Sequence, residues 1–362
     1  MRKNKLKKFT RRVVIAANVA AILLLLLVGH ADRFDPNAYP MLATLGLAMP
    51  LALLINLGFL VFWVVVSPRY AFIPLAGLLI SYVPVRAYCP INLPEDPPPG
   101  SLKLMSFNVQ RLDSVDRDAS GRVVSRRAID YIVKSQADIV CMQELWPGQE
   151  KDPTLLKAYP YVAGVRRKPS GQVLVVASRF PIVHKQLIRF DDDGDGAGAF
   201  WIDIGGDTII VVNNHLLSNG LALSERQQVD SLLKGQNNMD KARSNSKNLL
   251  HKLVEATQLR APQADSVAYF VRHHRKRSII VCGDFNSSPN AYPRRRLARD
   301  LTDCFEASGN GVSWTYNQNH IYVRIDHILC SPDWQPYACQ VDNEISASDH
   351  YPIVCWLKKK EK

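Results

Sequence analysis

GDFN at Gly283 to Asn286 and SDHYP at Ser348 to Pro352 set acids, an amide and an imidazole beside apolar runs. SIIVC precedes the first and IVCWL closes the segment around the second, so both polar groups stand at the ends of runs that read as buried strands. Carboxylates and imidazoles at strand ends suit phosphate chemistry, in which phosphoryl charge must be neutralised, a water oriented and the leaving oxygen assisted. ADIVCMQEL carries Glu144 after the run Ile139 to Met142, LKLMSFNV carries Asn108, TIIVVNNHL delivers Asn213, Asn214 and His215, and VRIDHILCS holds Asp326 inside a strand. Taken singly, Glu144 reads as a surface carboxylate and GDFN as an Asx turn that ends a strand. Neither bland reading accounts for six strands that each deliver a polar group, and these imply one shared site.

The elements that must position these groups begin near Ser101. Short apolar runs alternate there with polar helical stretches, which predicts a mixed α/β domain. Strands at 173–178, 186–190, 199–204 and 208–214 follow one another with short turns and predict antiparallel pairing. Ser125 is expected to cap a helix with Ala128, Ile129, Ile132 and Val133 on its apolar face. A long helical insert between His215 and Ser278 carries Leu232, Leu233, Leu249, Leu250, Leu253 and Val254, with Pro262 dividing it.

The ordered set FNV, QE, SRFPI, NNHL, GDFN, RIDHI and SDHYP, spread from about Ser101 to Leu357, resembles the endonuclease, exonuclease and phosphatase superfamily. The resemblance implies a four-layer sandwich of two mixed β-sheets flanked by helices, with the site at one end of the sheets. It also implies a phosphoesterase dependent on a divalent ion, Mg2+ or Mn2+. Glu144 would be the ligand with Asn108 beside it, and Asp349 would hold a second ion or support the first. Asp284 corresponds to the aspartate that orients or deprotonates the attacking water, Asn286 to the amide that fixes it, and Asp326 with His350 to the family's carboxylate and histidine pair. His215 resembles the histidine of the deoxyribonuclease and sphingomyelinase branches, with Asn213 and Asn214 as neighbours able to contact substrate; the apurinic endonuclease branch lacks it. Further candidate substrate contacts are Arg179 in SRFPI, Trp314 and Tyr316, and the basic runs Arg166 to Lys168 and Arg294 to Arg296. His327 stands where many relatives have tyrosine, and strand alternation predicts that it faces the core, away from Asp326.

Glycine-rich DDDGDGAG imitates a calcium loop through Asp191, Asp193, Asp195 and Gly196. Its twelfth position is Ile202 where a bidentate Glu is needed, so a solvated hairpin loop is expected.

The chain of 362 residues is 47% hydrophobic, yet its mean hydropathy is only -0.09, so the apolar residues are unevenly placed. A basic segment, residues 1–12, precedes VVIAANVAAILLLLLVGHA, which is long enough for a bilayer core of about 30 Å. Met41 to Val66 is a second uncharged run, and Ala71 to Val85 between Arg69 and Arg86 is a shorter third. Residues 13–87 are therefore expected to hold two or three transmembrane helices, three being preferred because flanking arginines can snorkel. A cleaved signal peptide fits the first run alone and fails on the second. INLPEDPPPG makes 88–100 a stiff spacer to a catalytic domain at 101–358, with 359–362 as a basic tail.

Of the net charge of +12, the first twelve residues carry +7, and removing the tail and the membrane region leaves about +3 on the catalytic domain. That excess is too mild to argue for nucleic acid on electrostatics alone. Cys141, Cys282, Cys330 and Cys355 lie in apolar runs as small buried hydrophobes, and no spacing suggests zinc.

The expected function is a membrane-tethered, metal-dependent phosphoesterase cleaving phosphodiester bonds, nuclease-like first. A phospholipid head-group hydrolase and a catalytically inactive binding module are the alternatives. The substrate is a nucleic acid or a phospholipid, and no obligate protein partner is inferred. Positive-inside bias puts the amino terminus in the cytoplasm; with three spans the catalytic domain then lies outside the cytoplasmic membrane of a bacterium.

Overall fold

The computed structural model describes residues 2–117, 123–166, 168, 171–190, 196–219, 239–318 and 321–361. Its strands are β1 (Leu102–Asn108), a hairpin of β2 (Val115–Arg117) and β3 (Val123–Arg126), then β4 (Ile139–Leu145), β5 (Tyr161–Val165), β6 (Val173–Ser178), β7 (Ile182–Ile188), β8 (Gly196–Ile204) and β9 (Asp207–His215). They continue with β10 (Ile279–Asp284), β11 (Thr302–Asp303), a hairpin of β12 (Tyr316–Gln318) and β13 (Ile321–Val323), β14 (Asp326–Cys330), β15 (Trp334–Val341) and β16 (Ile353–Lys359).

Two six-stranded sheets form, in the orders β15-β16-β1-β4-β6-β5 and β11-β14-β10-β9-β8-β7. Each is mixed, because β1 with β4 and β9 with β10 are parallel and the other pairs antiparallel. Period-two alternation gives every central strand two apolar faces. Leu104, Cys141, Val211, Cys282 and Ile328 pack between the sheets. On the outer face of the first sheet, Met105, Phe107 and Val140 meet Ala128, Ile129 and Ile132 of the helix Arg127–Ser135. On the outer face of the second, Ile210, Val212 and Val281 meet Ala264, Val267 and Val271 of the helix Met239–His273. The result is the expected four-layer sandwich.

Local details depart from the sequence reading. Ser125 does not cap the helix: it lies in β3, its Oγ donates to Asp116 at 3.0 Å, and the helix starts at Arg127 without a side-chain cap. Pro262 does not divide the insert either, since the helix Met239–His273 runs through it with one backbone donor missing. Asp326 lies in β14 as its first residue, and β7 and β8 both begin before their predicted bounds, β7 ending at Ile188. Asp191 to Asp195, and Leu232 with Leu233, lie outside the described residues.

At the amino end, Lys7–Gly29 and Pro40–Val66 are long and apolar enough to cross a membrane. The third segment is not one straight helix: Pro68–Ile80 and Tyr82–Tyr88 meet at a bend of 70°. Buried polar contacts hold the helices together, with Asn56 Nδ2 donating to Ala21 O at 2.9 Å and Trp63 Nε1 to Asn18 Oδ1 at 3.1 Å. Arg11 lies 5.4 Å from the Tyr70 ring at one end of this unit. At the other end Asn290 Nδ2 donates to Gly29 O at 3.3 Å and to Pro84 O at 3.0 Å, tying the end of the first helix and the short helix Tyr82–Tyr88 to the sandwich.

That junction is close. A Cβ on Gly46 would stand 2.3 Å from Asn290 O. Arg324, buried over the Phe305 ring, donates to Ala87 O at 2.7 Å, and Arg295 pairs with Asp32 at 3.7 Å. The proline-rich stretch is laid along the domain and is not a free stalk: Asn92 Nδ2 donates to Glu306 O and Gly309 O, and Lys358 Nζ to Pro99 O.

Candidate active site

Strand register sets the first row of the site. Asp284 pairs with Asp326 on antiparallel β14 and with His215 on parallel β9, so three polar side chains lie side by side at one end of the second sheet. Across the crevice Asn108 ends β1 beside Gln143 of β4. Asn108 Nδ2 bridges the sheets, 3.0 Å from Glu144 Oε1 and 3.1 Å from Asp284 Oδ2. His215 Nε2 is 3.6 Å from Glu144 and 3.8 Å from Asp284.

Backbone geometry explains how adjacent residues reach one site. Gln143 already faces inward, so simple alternation would turn Glu144 outward. A register shift between Met142 and Leu145 against β6, with Glu144 at φ 62, returns its carboxylate to the crevice. Gly283 precedes Asp284 at φ 128, where a Cβ would meet Asn214 O at 2.1 Å, so only glycine fits. Asn286, at φ 49, donates its backbone N–H to Asp284 Oδ1 at 2.8 Å and its amide to Leu216 O at 2.9 Å.

His350 arrives on the loop before β16. Ser348 Oγ donates to Asn108 O at 2.7 Å and accepts from His350 N at 3.1 Å, while Asp349 N donates to Gln110 Oε1 at 3.0 Å. The His350 ring then sits with Nδ1 2.8 Å from Asp326 Oδ2 and Nε2 3.7 Å from Asp284 Oδ2. Thr315 Oγ1 accepts the backbone N–H groups of Ile325 and Asp326, fixing the far side of the pair.

Charges in this buried cluster shift one another. Burial pushes the Asp284 carboxyl up to about 6, reinforced by Asp326 and opposed by His350 and His215. For His350, burial works against the charged ring, but Asp326 and Asp284 outweigh it and raise the imidazole to about 10. At neutral pH the site therefore presents an ionised Asp284 beside an imidazolium.

Glu144, Asp284, Asn286, Asp349, His350 and Tyr316 line one pocket. Asp284, Asp326 and His350 bring ligand atoms within 4.8 Å of one another, and there His350 Nδ1 is already engaged by Asp326 at 2.8 Å. The Asn108 amide donates to both Glu144 Oε1 and Asp284 Oδ2 and so brings carboxylates from the two sheets together, hard oxygens of the kind that suit a magnesium-like ion.

Several candidate substrate contacts lie elsewhere. Asn213 is a strut between the sheets: its Oδ1 accepts from Gln143 Nε2 at 2.7 Å, and its Nδ2 donates to Met142 O and Val175 O. Asn214 is buried and donates to Cys282 O at 3.2 Å. Arg179 follows β6 at the end opposite Glu144, next to Asp138 at 3.7 Å. Trp314 lines a separate hollow with Phe305 and Val312, and its ring lies 5.6 Å from that of Tyr322, which lines the pocket. Arg294 and Arg296 are taken up by Asp303, Glu306 and Asp265. Arg166 and Lys168 are exposed, and Arg167 lies outside the described residues. His327 is buried in the core, with Nε2 3.0 Å from Ser287 O. Sequence reasoning gave no role to Ser348, Gln110 or Thr315, although Ser348 lies in a quoted motif. It had no signal at all for Gly46, Leu47, Pro50 and Tyr88, which also line the pocket.

Comparison with known proteins agrees with this fold. The catalytic domain of human nocturnin matches at 16% identity over 73% of this chain and 97% of that one, with a TM-score of 0.51. An endonuclease/exonuclease/phosphatase from Beutenbergia cavernae matches at 20% identity over 72% of each chain, with a TM-score of 0.50. No curated protein matches. Residues 11–88 match a domain of unknown function, DUF8431. Residues 105–350 match the model of the Endonuclease/Exonuclease/phosphatase family, which spans the whole site, and the chain accordingly belongs to that family of metal-dependent phosphoric ester hydrolases.

Proposed function

We propose that the protein is a membrane-tethered phosphodiesterase whose bound divalent ion is held by Glu144, with Asn108, Asp284 and Asp349 around it. The observation that supports this most is the convergence of Asn108 and Glu144 from one sheet with His215, Asp284 and Asp326 from the other. A binding module has no physical reason to bury so many costly polar groups together.

When bound, such an ion neutralises charge on the phosphoryl oxygens. The Asp284 carboxylate, held by the Asn286 backbone, accepts a proton from water as the water oxygen bonds to phosphorus. The His350 imidazolium, oriented by Asp326, donates from Nε2 to a phosphoryl oxygen. The ester P–O bond breaks, the departing alkoxide is protonated by solvent, and Asp284 releases the proton it accepted to solvent; His215 Nε2 stands beside the Glu144 and Asp284 carboxylates. A phosphomonoester and an alcohol result.

The tether reading draws on the two long apolar helices. The Arg11 and Tyr70 contact and the Asn290 ties lie at opposite ends of the membrane unit. Three crossings, the last one bent, join those ends. An odd number of crossings with the basic amino terminus in the cytoplasm leaves the hydrolase outside a bacterial cytoplasmic membrane.

The test is hydrolysis of bis(p-nitrophenyl) phosphate by the full chain in detergent with magnesium or manganese. The wild type should release nitrophenolate and Asp284→Asn should lose at least about a hundredfold in rate; equal rates would remove Asp284 from the chemistry.

A further inference from the structure

Leu47 and Pro50 belong to the start of the second membrane span and Tyr88 ends the bent third segment, yet all three line the same pocket as Glu144, Asp284 and His350. Gly46 brings the span this close, because its missing side chain lets the helix start lie on the Asn290 backbone. Leu249 and Leu253 of the helix Met239–His273 form an adjoining wall, and Ile321, Val323 and Ile325 at the β12–β13 hairpin form another.

The chemistry of these walls is selective. Among the described residues no lysine or arginine lines the pocket; its charged groups are Glu144, Asp284, Asp349 and His350. Arg260 stands behind the lining, donating to Asn219 Oδ1 at 2.7 Å. A nucleic acid brings one charge per phosphate along its length and is held by basic side chains. This pocket offers a polar floor for one phosphate and apolar walls around it. Leu47, Leu51 and Leu54, spaced to share one helix face, are exposed and continue the apolar wall from the pocket down the span.

Resting on the phosphodiesterase reading, we infer that the membrane unit forms part of the substrate site and that the substrate is a membrane-resident phosphoester carrying a long hydrocarbon tail. Its phosphate sits against Glu144, Asp284 and His350, and its tail leaves over Leu47, Pro50 and Leu253 toward the bilayer along Leu51 and Leu54. Lateral entry from the membrane then replaces capture from water. The reaction is unchanged: the ester P–O bond is cleaved by water, and the tail stays on whichever fragment carried it.

A chromogenic series isolates the tail. Ethyl, butyl and octyl p-nitrophenyl phosphates, each below its micelle-forming concentration, are given with magnesium to the full chain in lipid nanodiscs. A buried methylene is worth about a three- to fourfold gain, so kcat/KM should rise by at least about a hundredfold from ethyl to octyl. Leu47→Asp and Leu253→Asp should flatten this dependence, and Leu47→Met should retain it. Hydrolysis of all three esters at similar kcat/KM would overturn the inference and leave the phosphodiesterase reading standing. Faster cleavage of a single-stranded oligonucleotide than of the octyl ester would overturn it as well. Failure to cleave any member with magnesium or manganese would overturn both.

Discussion

Asp326 Oδ2 lies 2.8 Å from His350 Nδ1, and the other ring nitrogen of His350 points toward Asp284, 3.7 Å away. The carboxylate thus fixes which nitrogen faces Asp284 and the pocket, and with Asp284 it keeps the buried ring charged. If the two residues act as one unit, Asp326→Asn should lower kcat by at least about a hundredfold, and adding His350→Ala should cost little more. Steady-state rates for the two single variants and the double variant provide the check; strictly additive losses would show that they act separately.

Gly283→Ala should destabilise the chain by more than about 3 kcal/mol, since the substitution combines a positive φ with a Cβ placed 2.1 Å from Asn214 O. Denaturant unfolding measures this. A loss below about 1 kcal/mol would mean that β9 and β10 separate more readily than their register implies.

His327 sets a pH limb of stability from the core face of β14, on the opposite side of the strand from Asp326. Burial lowers its imidazole to about 4, with Asp303 opposing and Arg324 and Arg294 assisting, against 6.5 in the unfolded chain. A depressed folded value means that the stabilisation is complete above pH 6.5 and is lost as pH falls toward 4, by up to about 1.4 kcal/mol per unit. The stability difference between wild type and His327→Gln should therefore shrink across that window. A difference independent of pH would contradict the assignment.

Much of this was legible in the sequence because the site is built from strand ends. Apolar runs with a terminal acid or amide located Asn108, Glu144, His215 and Asp284, and β register alone sets three of the site's residues in one row. The substrate candidates were less legible because they depend on which end and which face a residue occupies. Asn213 faces inward one residue pair short of the opening and becomes a strut. Arg179 lies at the wrong end of an antiparallel strand. Ser125 looked like a cap because Ser caps many helices, but Asp116 across a hairpin took its hydroxyl. Gly46, Leu47 and Tyr88 carry no chemical signature, and only tertiary packing brings them to the pocket.

Topology is open to a direct probe. Protease added to intact spheroplasts should remove the catalytic domain while a cytoplasmic marker survives, as three crossings and a cytoplasmic basic terminus require. Cleavage only after lysis would contradict this orientation.

Turnover of bis(p-nitrophenyl) phosphate through a cycle of chelation and metal return tests the central claim most directly, because the Glu144 and Asp284 carboxylates are gathered from two sheets onto one amide in the pocket. For the wild type the account predicts loss of activity in chelator and its recovery with magnesium or manganese. Glu144→Ala should fall by about a hundredfold or more and need far higher metal concentrations for any recovery. Full wild-type activity in chelator, or an unaltered metal requirement in Glu144→Ala, would contradict it.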